Sequence, residues 1–244
     1  MLTATTLLFS VLDPSGDAYG DGRYILPSDL SDAEKKSLDI RSFAVFDRQG
    51  VLEFKIGFAR LSNALNSPRR FSTPYLDLFI QTGMGGQVHL ADTGFETASG
   101  TGWQWHIAVT PYKTVVQRDQ RDLTAVESNV QVSVEGSSLV LDTQIPSGSY
   151  GYWLTSRVFD PLSQKGYLEP TTETGMRRLF SPVVSSPSPV DVLSLQPAAG
   201  LYTKRTLPPV GKMSDPRPQK LLWAGAISLV LTLLASLKIL KLKR

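Results

Sequence analysis

Short runs of alternating or continuous apolar residues, each soon cut off by Gly, Pro, Asn or Ser, fill residues 1–180 of this chain. That punctuation leaves little room for long helices, and a period of two is what a half-buried strand requires, because successive side chains point to opposite faces of a sheet. Strands are therefore predicted at Phe43–Phe46, Val51–Phe58, Tyr75–Ile80, Gln104–Thr110, Val130–Val134, Ser138–Asp142 and Tyr152–Phe159. Leu2–Leu12 is apolar and runs straight into Asp13-Pro14, with no basic lead and no A-x-A site, so it reads as a first strand rather than an export signal. Only Leu30–Leu38 and Asp119–Ser128 could form short helices. Many short strands with turn residues between them predict an all-β domain over 1–180, an antiparallel β-sandwich.

A different composition follows. Ser181–Lys220 holds SPVVSSPSPV, Pro197, Pro208-Pro209, Pro216 and Pro218, and predicts an extended Pro/Ser-rich linker over 181–220. Leu221–Leu237 then carries no charge and ends at Lys238, which opens a run of four basic residues in seven. At about 1.5 Å per residue the uncharged run reaches roughly 25 Å, and a snorkelling Lys238 extends it toward the roughly 30 Å of a bilayer core. A single transmembrane helix is predicted at 221–238, with Trp223 at its outer interface and a basic cytoplasmic tail at 239–244. The sandwich would then lie outside the membrane, its export signal upstream of Met1; a tail-anchored protein with a cytoplasmic domain is the rival topology.

Charge supports this division. The chain carries +3 overall, but nine basic residues and one acid lie from Lys204 onward, leaving 16 basic and 21 acidic residues before it. The folded part is thus acidic, which speaks against a nucleic-acid surface. With no Cys, there is no thiolate nucleophile, disulfide, Cys zinc site or Fe–S cluster. No G-x-S-x-G, H-E-x-x-H, P-loop or dinucleotide fingerprint occurs either, so no enzyme signature is present.

The densest chemistry lies in Asp13-Pro-Ser-Gly-Asp-Ala-Tyr-Gly-Asp-Gly-Arg-Tyr-Ile-Leu-Pro27. Asp13, Asp17 and Asp21 supply hard oxygen ligands among glycines that permit tight backbone, as a Ca²⁺ loop would. An Asp/Gly turn held by Asx hydrogen bonds accounts for the same residues. The loop is no EF-hand, since Ala18 and Tyr24 stand where that motif needs Gly and Glu.

Asp13, Pro14, Gly16, Asp17, Gly20, Gly22, Tyr24 and Pro27 spell D-P-x-G-D-x-x-G-x-G-x-Y-x-x-P. This pattern resembles the opening of the C-terminal DOMON-like domain of glucodextranases and amylopullulanases. Leu38–Val45, Tyr75–Ile80 and Gly102–Trp105 look like later strands of the same family, and the resemblance covers about 1–180. It implies a DOMON-like, carbohydrate-binding-module-like sandwich that binds carbohydrate or attaches an enzyme to the cell surface, and it strengthens the reading of Asp13 and Asp17 as Ca²⁺ ligands. Leu26, Ala64-Leu65 and Gln104 depart from the family pattern. Haem, which distant relatives bind, needs facing axial ligands, and no spacing links His89, His106, Met84 and Met176.

Exposed aromatics would be the stacking platform for a sugar. Trp103, Trp105, Tyr112, Tyr150, Tyr152 and Trp153 are the candidates, Trp103, Trp105, Tyr150 and Tyr152 foremost, with alternation placing Trp103 beside Trp105 and Tyr150 beside Tyr152 on common faces and Trp153 opposite, unless those faces are core. The expected protein is a non-catalytic, membrane-anchored envelope component whose outward sandwich binds polysaccharide or another envelope component. The alternative is a structural or assembly subunit that binds an envelope protein.

Overall fold

The computed structural model describes residues 5–98, 100–119, 126–127 and 129–214. Gln49 and Gly50 both take positive φ, 59° and 87°, the mirror-image turn whose twist suits a two-residue hairpin. They join Ile40–Arg48 (β2) to Val51–Phe58 (β3), and Thr5–Leu12 (β1) pairs with the far side of β2. Pro74–Gln81 (β4), Trp105–Val109 (β5), Thr114–Arg118 (β6), Gln131–Glu135 (β7), Ser138–Pro146 (β8) and Gly151–Val158 (β9) follow. The short strands Asp191–Val192 (β10) and Val210–Gly211 (β11) complete the main sheets.

One sheet runs β1-β2-β3-β8-β7 and the other β10-β9-β4-β5-β6, with β11 also pairing with β9. The pairs within both are antiparallel, as the alternation predicts. Between them lies the core. Phe43, Phe54, Ile56 and Leu141 from the first sheet meet Leu76, Leu78, Ile107, Tyr152 and Leu154 from the second. Thus β3 alternates in burial through its first six residues, while β9 is buried along its whole length, on both faces.

The expected helix near Leu30–Leu38 is one turn, Asp32–Lys36, opened by a capping box in which Ser31 and Glu34 satisfy each other's backbone N–H. For Asp119–Ser128 the helical expectation fails at Val126–Glu127, which is extended and pairs with β6; residues 120–125 and 128 lie outside the described part.

The outer face of the second sheet is buried as well. Phe79, Trp103 and Trp153 sit beneath a cap made by Ala18, Tyr24, Leu26, Leu90, Phe95, Leu179, Val190, Val192, Leu201, Tyr202 and Leu207. The cap corrects the predicted linker over 181–220. Up to Met213 that segment belongs to the same compact unit as the sandwich, and it supplies β10, a helix at Ala198–Lys204 and β11. Proline did mark the loss of regular strand, but an irregular segment still docks where partners satisfy its carbonyls. Tyr24 and Tyr202 donate to the carbonyls of Pro187 and Pro189 at 2.7 and 2.8 Å. Among the described residues no helix is long and apolar enough to cross a membrane. The predicted span at 221–238 and the tail at 239–244 lie outside them.

Candidate functional site

Asp13 leaves the end of β1, its N–H still on the β1–β2 ladder through Arg41 O at 3.1 Å. The chain then turns through Gly16, whose N–H reaches both oxygens of Asp39 at 3.1 and 3.2 Å. Gly20 is required at its position: φ is 63°, and a Cβ there would lie 2.7 Å from the ring of Tyr24. Its N–H donates to Val190 O at 2.7 Å, which binds the loop to the segment carrying Asp191. The motif residues therefore form the clasp that holds the cap.

Inside this clasp Asp13, Asp17 and Asp191 each bring a carboxylate oxygen within 4.8 Å of the others. Asp13 and Asp191 are 7% and 2% exposed. Asp13 Oδ1 accepts Ser194 N–H at 3.1 Å, whereas its Oδ2 is buried with no hydrogen-bond partner, as is Oδ1 of Asp17. Asp191 accepts Ile40 N–H at 2.7 Å. Burial pushes the Asp13 carboxyl up to about 7, the Ser194 bond opposing it and neighbouring Asp17 and Asp39 adding to it. Burial likewise raises Asp17, and holds Asp191 well above the usual carboxylate range.

Asp21, predicted with Asp13 and Asp17, is elsewhere. Its carboxylate accepts from its own near neighbour, Arg23, through backbone N–H at 3.0 Å and Nε at 2.8 Å. That guanidinium two residues on gives Asp21 a local partner and removes it from the acidic group. Asp191 takes its place, some 174 positions from Asp17. A charge between two valines, in Val190-Asp191-Val192-Leu193, is the signal that would have pointed to it: an acid in a buried apolar run needs partners.

The predicted aromatics separate. Trp103 and Tyr152 are core side chains, 3% and 1% exposed, so neither can stack on a sugar. Trp103 and Trp105 do not share a face, because β5 begins only at Trp105 and the chain bends at Gln104. Trp103 joins the cap side and Trp105 packs against the inter-sheet core. Half-buried Trp105 has the Arg118 guanidinium 3.8 Å over its ring. Half-buried Tyr150 shares the Tyr152 face as expected, with Trp153 opposite.

Under the cap a charged group crosses the second sheet. Asp77 on β4 lies 2.6 Å from Arg157 Nη2 and 2.9 Å from His106 Nε2, and all three are buried. The Arg157 contact is a buried ion pair. Tyr75 and Tyr167 enclose its guanidinium at 4.2 and 3.8 Å. The other ring nitrogen of His106 meets Gln117 at 3.1 Å, so both nitrogens are engaged and neither is placed to ligate haem iron.

A cleft of about 130 Å³ opens at one end of the cap, lined by Asp29, Glu34, Phe159, Asp160 and Arg177 among others. Its carboxylates all have structural partners. Glu34 closes the capping box, Asp29 accepts Arg177 N–H at 3.0 Å, and Asp160 pairs with the Arg177 guanidinium. At its edge Phe159 packs at 5.8 Å on Tyr112, which is 49% exposed.

No curated protein matches the chain at a significant level. The family model of the C-terminal, SLH-like binding module of glucodextranase matches residues 8–152, more than half of the sequence, from within β1 to the first two residues of β9. This match runs through the clasp motif and the strands that carry it, and the chain belongs to that binding-module family.

Proposed function

We propose that this protein is a non-catalytic envelope component whose sandwich binds carbohydrate, anchored to a membrane through Leu221–Lys238 with the sandwich on the outer side. The observation that carries the binding role is the family match, since that family is a binding module and not a catalytic domain. Anchoring rests on the uncharged sequence of Leu221–Leu237 and the basic residues after it. Orientation rests on those flanking charges together with the surface role implied by the family.

With Trp103 and Tyr152 in the core, the aromatic best placed to stack on a sugar is Tyr112, beside Phe159 and the cleft of Asp160 and Arg177. An exposed ring next to fixed polar groups is the usual grammar of a saccharide site. Pull-down of residues 1–213 on a panel of insoluble and envelope polysaccharides tests the reading. Retention that Tyr112→Ala abolishes is expected; no retention above background on any polysaccharide would end the carbohydrate version.

A second reading, docking to an envelope protein, is favoured by β1. It is the edge of its sheet and exposes Leu7, Leu8 and Leu12 at 54%, 42% and 79%. A stoichiometric protein partner co-purifying in detergent, lost when Leu7 and Leu12 become charged, would support it.

A further inference from the structure

We propose that Asp13, Asp17 and Asp191 form a binding site for a divalent cation of the hard, oxygen-preferring class, calcium, which staples the cap to the end of β1. The ligand set differs from the one the motif suggests: Asp191 belongs to it and Asp21 does not. It is independent of whether the sandwich binds a glycan.

Geometry comes first. Three carboxylates within 4.8 Å of one another repel strongly when ionised, because little water lies between buried charges to screen them. A fold keeps such a group together only if protons or a cation neutralise it. Among the described residues no salt bridge reaches Asp13, Asp17 or Asp191. Arg41, the cation whose charge is felt there, is directed instead to Asp39, at 3.3 Å, and to Ser15.

The second observation is the pair of unused oxygens. Asp13 Oδ2 belongs to a side chain more than nine-tenths buried and meets no donor, and Asp17 Oδ1 is likewise without one. Buried polar atoms are rarely left unpaired, because the loss of hydration is not recovered. Around them the backbone is already fixed by other contacts. Ser194 N–H orients Asp13, Ile40 N–H orients Asp191, and Asp39 receives Gly16 N–H to hold the turn that carries Asp17. Outer contacts of this kind set ligand direction at metal centres.

Chemistry selects the ion. The group contains oxygen only, with no His and no Cys, which disfavours zinc and softer metals. Its ligands come from an irregular loop and a two-residue strand. Calcium tolerates such uneven geometry, whereas magnesium demands a near-ideal octahedron. Half-exposed Asp17 gives the ion a way in.

The test uses the full chain in detergent, stripped with chelator and titrated with calcium chloride by calorimetry, with melting followed in parallel. About one equivalent should bind and raise the melting temperature, with magnesium weaker by at least about 10-fold. Asp17→Asn and Asp191→Asn should each weaken calcium by at least about 10-fold, while Asp21→Asn titrates like the parent. Asp17 is only half-buried, so that variant keeps the test usable if Asp191→Asn does not fold. Absence of calcium binding by the stripped parent, zinc binding in preference to calcium, or loss of binding in Asp21→Asn but not in Asp17→Asn would each overturn the site.

Discussion

The two faces of the second sheet are buried in opposite ways. Toward the first sheet, Leu76, Leu78 and Ile80 of β4 meet an apolar partner layer. Toward the cap, the alternate residues Tyr75, Asp77, Phe79 and Gln81 meet aromatic rings, an arginine and irregular backbone. One face is a generic sandwich interior. The other is assembled from segments distant in sequence, and its hydrogen bonds and charges carry the acidic group, the Asp77 ion pairs and the cleft. Stability in the first should follow apolar volume, and in the second the pairing of polar atoms.

The sharpest way to break that contrast is to remove the cap. Ending the chain at residue 183 deletes Val190, Val192, Leu193, Leu201, Tyr202, Leu207 and Val210, all at most 5% exposed, and uncovers Phe79 and Trp153. Each such side chain contributes about 1.5–3 kcal/mol by burial, so the loss of roughly 10–20 kcal/mol is as large as the usual total of about 5–15 kcal/mol for a domain. Residues 1–183 should lose near-ultraviolet circular dichroism and resist no protease, whereas 1–213 should melt cooperatively. Cooperative melting of 1–183 would show that the sandwich stands without its cap.

Next in size is the charge on the capped face. Arg157→Ala leaves Asp77 fully buried with only His106 beside it, which should cost about 3–5 kcal/mol in urea denaturation. Phe54→Ala on the inter-sheet face should cost a similar ~3–5 kcal/mol through its cavity. The contrast appears in the isosteric partner. Arg157→Met, which keeps bulk without charge, should recover little while Asp77 remains, and much more in the double variant with Asp77→Leu. Equal recovery in both backgrounds would mean that volume alone governs the capped face too.

These regions also differ in how legible they were. Val51–Phe58 was readable to the residue, and the Ser31–Glu34 capping box is a purely local signal, because alternation and capping are written in adjacent positions. Asp13 and Asp17 stood out for the same reason. Asp191 did not, since what gives it meaning is a loop far away in sequence and its own neighbourhood reads as Pro/Ser-rich linker. Trp103 and Tyr152 looked like sugar platforms because a sequence does not say that the second sheet is covered on both sides.

A smaller effect tests the clasp itself. Tyr24→Phe removes the donor to Pro187 O and leaves that buried carbonyl unpaired, while the ring still covers Gly20. A loss of about 1–3 kcal/mol is expected in urea denaturation. Tyr150→Phe, at a half-buried side chain of the sandwich, should change stability by less than about 0.5 kcal/mol. Equal costs for the two would remove the distinction between a cap held by polar pairing and a core held by volume.

The smallest effect is the dependence on pH, and its sign separates the faces again. In chelator, the folded chain holds a proton on Asp13 up to about 7, whereas an unfolded Asp releases it near 3.8. Between those values the folded state binds more protons, so its stability is present in acid and is lost as pH rises through about 7. From pH 6 to pH 8 this one group should destabilise the chelated protein by about 1 kcal/mol. Asp13→Asn should flatten the slope, because an amide does not titrate. Saturating calcium should also flatten or reverse it, since the ion takes the deprotonated carboxylates that alkali provides. A chelated parent whose melting temperature climbs steadily from pH 6 to pH 8 would contradict the buried, unpaired state of Asp13 on which the acidic group depends.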